Sequence, residues 1–124
     1  MKHQRPVNLD LSTLSYPPMA IASILHRLSG VVLFLLFPVI LYFLYCSLQD
    51  NVSFLSLQSE LSQPMYKSIV WMFGAAWWYH VLAGLRHILM DCGVGESLKA
   101  ARVGAILVIG LGVVGAILLG VWLW

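Results

Sequence analysis

The chain has 124 residues, one domain at most. Some 60% of them are apolar and only 10% charged, where a soluble domain is about a quarter charged, so the composition points to a bilayer as solvent and argues against a soluble enzyme. Seven Lys+Arg against five Asp+Glu leave a net charge of +2, too little for an electrostatic nucleic-acid binder, and Cys46 and Cys92 form neither a disulfide framework nor a repeated metal spacing.

In chain order, residues 1–18 carry Pro6, Pro17 and Pro18 and read as an extended arm. The rest, 19–124, reads as one all-α, three-helix transmembrane domain. Leu28–Gln49 is free of charge over 22 residues and meets the roughly 20 that a spanning helix needs. The apolar stretch MAIASIL after Pro18 extends this first span to about 19–48. From Met19 to Ser47 such a helix is roughly 43 Å long against a ~30 Å hydrocarbon layer, so its first turns project into the headgroup zone. Pro38 sits inside it and predicts a kink. Ser68–Leu85 gives a second span, about 65–90, and Val103–Trp124 a third, about 103–124. Lys2, Arg5 and Arg27 before the first span and Arg86, Lys99 and Arg102 around the second connection face a lone Lys67 in the first connection. The positive-inside rule then predicts a cytoplasmic N-terminus and a periplasmic C-terminus. Neither a cleavable signal nor a mitochondrial presequence is visible, which favours a bacterial inner membrane. In the third span Gly112, Ala116 and Gly120 recur every four residues, a spacing that admits a close helix neighbour, although glycines are also simply common in membrane helices.

Polar side chains in hydrocarbon are costly and point to function. His80 is the clearest case, six positions before Arg86 and therefore about 9 Å inside the charged end of its span. A hydrogen bond to a neighbouring helix, a proton relay or metal ligation would each explain it. His80, Gly84, His87 and Asp91 fall within about 60° on one helix stripe. That favours haem: Gly84 would let a flat macrocycle lie against the helix, and Arg86 and His87 at the surface would meet its propionates. Ordinary helix packing at Gly84 and solvated ends at Arg86 and His87 are the plain alternatives.

The first helix holds a second cluster, Ser23, His26, Arg27 and Gly30, at i, i+3, i+4 and i+7. By helix rise His26 lies only about 3 Å from the end of the charge-free run, at the interface, against about 9 Å for His80, so the depths argue against the two sharing one iron and a second ligand is expected from another chain. Ser23 and Arg27 can hydrogen-bond a small carbonyl compound entering from the membrane, as a quinone head group requires, or anchor lipid headgroups. No carboxylate falls within a span, which weighs against a proton-coupled transporter.

Three blocks, RPVNLDL at 5–11, SILHRLSG at 23–30 and HVLAGLRHILMD at 80–91, resemble the cytochrome b membrane-anchor subunit of bacterial succinate dehydrogenase. The resemblance implies an anchor that packs with a second small membrane subunit into a haem-binding bundle, beneath an iron–sulfur protein and a flavoprotein on the cytoplasmic face. By the same likeness His80 is an axial ligand of haem b, with the opposing His in the partner anchor. Ser23 and Arg27 line the ubiquinone site, His26 and Arg27 lie near the haem propionates, and His87 is a further propionate contact. Beyond Asp91 the motif likeness fades, and residues 49–63 offer nothing to compare. The implied function is electron transfer from succinate oxidation to quinone, the isolated chain not turning over alone. The competing expectations are a haem-free fumarate reductase-type anchor and a small membrane scaffold or transporter.

Overall fold

The computed structural model describes residues 16–124; the RPVNLDL block and the charges Lys2 and Arg5 lie outside the described residues. Among those described the chain is all helical: α1 (Pro18–Ser47), α2 (Asn51–Leu61), α3 (Pro64–Asp91) and α4 (Leu98–Leu123). The termini follow from local chemistry. Pro18 and Pro64 open α1 and α3 at positions where the missing N–H has no helical partner to lose. Ser97 caps α4 by accepting from the Ala100 amide at 3.2 Å. That cap starts the helix at Leu98, five residues before the sequence-based boundary of 103, because the charges of Lys99 and Arg102 interrupt the apolar run but not the backbone.

The end of α3 is a Schellman turn. The Val94 N–H donates to the Leu89 carbonyl and the Gly93 N–H to the Met90 carbonyl, both at 2.9 Å, with Gly93 at φ +83°. This conformation asks for glycine, and it gives the GVGESL stretch its structural meaning. The first connection is also ordered: α2 is an interfacial-length helix that the sequence reading did not anticipate. Its N-cap is Asp50, whose carboxylate accepts from the Ser53 amide at 2.7 Å.

Three of the four helices are long and apolar enough to cross a membrane. α1 packs on α3, α3 on α4, and α1 more lightly on α4. Contacts at the ends fix an alternating arrangement. The starts of α1 and α4 meet the end of α3, with His26 beside His87 and Arg86 bonded to Ala101. At the opposite end Phe43 meets Tyr66, and the Lys67 ammonium lies 5.9 Å from the Trp124 ring. α1 runs unbroken through Pro38.

The buried apolar residues among those described are small for the most part: Ala22, Ala83, Ala101 and Ala105, with Leu57 and Val108. Large side chains such as Phe34 and Trp122, about 80% exposed, cover the outside. That is the inverse of a soluble bundle and suits helices whose outer faces meet lipid or protein. The glycines of α4 do not serve a bare helix neighbour. Gly112 and Gly120 receive Tyr79 and Trp71 of α3, and Trp78 lies against Gly115, so the small positions seat aromatic rings.

The Asp50 cap carries a pH signature. The Ser53 backbone N–H holds the Asp50 carboxyl below the usual aspartate range. A depressed folded value means that the cap's stabilisation is complete above the unfolded pKa of about 3.9 and disappears as pH falls through the lower folded value. The Ser53 amide resonance should therefore titrate with a midpoint below 3.9. In Asp50→Ala that titration should vanish and the amide should exchange faster at neutral pH.

Candidate functional site

The α1/α3 seam is built so that two backbones come close. Ala22 and Ala83 are each 2% exposed, and Tyr79 crosses the seam to donate its hydroxyl hydrogen to the Ala22 carbonyl at 3.0 Å. One turn further along α1, the His26 and His80 rings stack with centroids 4.2 Å apart, and His87 adds a third imidazole 5.0 Å from His26. The three histidines singled out in sequence thus form one continuous column, with His26 in the middle.

This arrangement corrects the depth argument. Counting helix rise from Arg27 and Arg86 separated His26 from His80, yet the two rings are in contact. α1 begins well before Arg27, at Pro18, and helix rise counted along one helix does not fix its offset from a neighbouring helix. The two rings are stacked, with their planes 29° apart.

The polar contacts decide the tautomer of His80. The Ser29 hydroxyl donates to the His26 carbonyl at 2.7 Å, and His80 Nδ1 lies 3.0 Å from Ser29 Oγ and 3.2 Å from the same carbonyl. A carbonyl can only accept, so all three contacts are satisfied together when Nδ1 carries the hydrogen, which leaves Nε2 with a free lone pair, engaged by no hydrogen bond among the described residues. A neutral imidazole with one nitrogen donating to backbone oxygen and the other bare is the form in which histidine binds a metal.

Gly30 makes room for this ring: a Cβ there would stand 3.2 Å from His80 Cε1. Gly84, expected to leave a flat surface for a macrocycle, instead faces His26, whose Nε2 would lie 3.6 Å from a Cβ at that position. His26 Nε2 is buried there without a hydrogen-bond partner, the sort of orphan that a bound group or water satisfies.

The remaining candidates are spread around this column. Ser23 is half-buried and Arg27 exposed, one turn apart on the same side of α1, and neither side chain makes a hydrogen bond among the described residues. Arg86 is not brought to the histidines: it turns toward α4, donating to the Ala101 carbonyl at 3.0 Å with its Nε against Gly104. Ser29, 7% exposed, was not singled out in sequence, although a serine three residues after His26 and followed by glycine lies on the same helix face.

The family model described as "Succinate dehydrogenase/Fumarate reductase transmembrane subunit" matches residues 1–119. The chain belongs to this family. It is therefore a multi-pass membrane protein, and the likeness runs past Asp91, where the recognisable motifs stop, through nearly all of α4. The family's succinate dehydrogenase cytochrome b556 subunit from Coxiella burnetii is 42% identical over 125 residues, covering all of both chains. Those from Rickettsia prowazekii and Rickettsia typhi are 34% and 33% identical over 98% of this chain and 92% of their own.

The tight seat of His80 is testable apart from any cofactor. Gly30→Val should overpack the seam and lower the thermal midpoint of the folded protein, at a cost of about 1–3 kcal/mol. Gly110→Val, where nothing lies within 4 Å of a Cβ, should leave it unchanged.

Proposed function

We propose that this family member is the haem-bearing membrane anchor of a succinate:quinone oxidoreductase. The observation that carries the reading is the His80 imidazole, held at Nδ1 by Ser29 and the His26 carbonyl and bare at Nε2 within a membrane span. In this reading His80 would hold the iron of haem b through Nε2, and a second histidine would come from another anchor subunit. The stacked His26 and His80 rings support that division, since they pack face to face and not across a gap. When bound, haem b supplies a one-electron redox centre in the anchor. His26, with its unpartnered Nε2, and His87 beside it are donors for the propionate side, joined by Arg27. Arg86, committed to the Ala101 carbonyl, would reach a propionate only by leaving α4.

Ser23 and Arg27 bind ubiquinone by donating to its carbonyl oxygens from the α1 surface. Arg27 in addition places positive charge where the reduced quinone oxygen becomes negative. The carbonyl end of the quinone enters from lipid and meets these donors at the end of the bundle where α1 starts. That end faces the cytoplasm of a bacterial inner membrane by the distribution of Lys and Arg, so an iron–sulfur protein and a flavoprotein dock there and pass on the electrons of succinate. The C-terminus is periplasmic. The rival reading within the family is a haem-free, fumarate reductase-type anchor, and the free ligand geometry of His80 favours the haem-bearing one.

Two substitutions in the purified complex test the two halves of this reading. His80→Ala should abolish or reshape the haem absorption spectrum; an unchanged spectrum would remove His80 as a ligand. Arg27→Ala should slow quinone reduction about 10- to 100-fold, the worth of one hydrogen bond to a charged group. Succinate oxidation by an artificial dye should meanwhile continue, whereas equal loss of both activities would assign Arg27 to assembly.

A further inference from the structure

Ser29 sits at the one place in the seam where a side chain of α1 meets the nitrogen of His80 that faces away from any metal. It is the buried polar side chain among the described residues, at 7% exposure, and its neighbours explain why burial is tolerated. Its single hydrogen goes to the His26 carbonyl at 2.7 Å. With that hydrogen given to the carbonyl, the 3.0 Å contact to His80 Nδ1 is satisfied by Ser29 Oγ accepting. The Nδ1–H therefore forks between two oxygens, Ser29 Oγ at 3.0 Å and the His26 carbonyl at 3.2 Å, with the serine the nearer. The hydroxyl also joins the two: by donating to the carbonyl it becomes a better acceptor for the imidazole, as hydrogen bonds in a chain polarise one another. Gly30, next in sequence, leaves the ring no side chain to ride against, so these two oxygens and the stacked His26 ring determine its angle.

From this geometry we infer that Ser29 is a positioning residue for His80, accepting its Nδ1–H so that the ring is held in one tautomer and one orientation with Nε2 as the donor atom toward iron. The inference rests on the reading of His80 as a haem ligand. An acceptor on the far nitrogen makes imidazole more basic, and a more basic ligand favours the ferric over the ferrous state. Ser29 thus lowers the potential of the haem it never touches.

The test uses the purified complex and compares the haem midpoint potential and the electron paramagnetic resonance g-values of the ferric haem in Ser29→Ala, Ser29→Cys and Ser29→Thr. Loss of the acceptor in Ser29→Ala should raise the potential; a tenfold change in the ferric-to-ferrous binding ratio would read as about 59 mV for one electron. The g-values should shift with it. Ser29→Thr keeps the hydroxyl and should stay at the wild-type potential. Ser29→Cys, nearly the same size with a poor acceptor, should shift in the direction of Ser29→Ala and decides the matter should the alanine variant not assemble. Wild-type potential and g-values in Ser29→Cys, or a threonine variant that shifts as alanine does, would overturn the assignment, because packing would then be the whole role of Ser29. His80→Ala separates the two levels. If it keeps the wild-type haem spectrum, the ligand reading fails; if it loses haem while the Ser29 variants stay at the wild-type potential, the positioning role alone fails.

Discussion

The close approach of α1 to α3 is the constraint from which the candidate site follows. Lipid is as apolar as a leucine side chain, so membrane helices gain little from burying apolar surface against one another and associate through fine packing and interhelical hydrogen bonds. Ala22 on α1 and Ala83 on α3 are both buried, Gly30 leaves space that the His80 imidazole occupies, and Gly84 faces His26. Small residues thus accompany the histidine column on both helices.

The same device holds the rest of the bundle, and α3 is its source. Tyr79 and His80 donate to oxygens of α1; Trp71, Trp78 and Arg86 donate to the carbonyls of Ala116, Leu111 and Ala101 on α4. A helix carbonyl has a second lone pair after its helical bond is made, and in hydrocarbon no water competes for it. Such bonds contribute about 0.6 to 2 kcal/mol each. Spread along both sides of α3, they define register where apolar side chains alone would let helices slide. Gly115 and Gly120 of α4 belong to this scheme, because they leave room for the indoles of Trp78 and Trp71 to reach the helix backbone.

How much of this was legible in the sequence depends on the range of the interaction. The spans follow from uninterrupted apolar length, and in the structure Pro18 and Pro64 stand in the first turns of α1 and α3. α2 escaped because its single strong signal, an Asp50 side chain capping Ser53, was outweighed by a polar loop-like composition around it. The Schellman turn at Gly93 shows the opposite case, a local signal present in the sequence as a glycine just past a helix end. At the site, His80 stood out because a histidine amid apolar residues is expensive whatever surrounds it. The positions of His26 and Arg86 were not readable, since helical spacing gives a direction around one axis but not the crossing or the depth of a neighbour.

Ser29 shows why the most informative residue was the least visible. Serine in a membrane helix commonly bonds a carbonyl one turn back on its own helix, as Ser68 does with Pro64 and Ser62 with Gln58, and sequence alone cannot tell such a serine from one with a second partner. What distinguishes Ser29 is a nitrogen 51 positions away, delivered by a different helix at 3.0 Å. The column it completes has the ring of His26 stacked on one face of His80. On the proposed reading, the haem is shared between subunits. Its binding would tie assembly of the anchor pair to the same helix seam that sets the tautomer of His80.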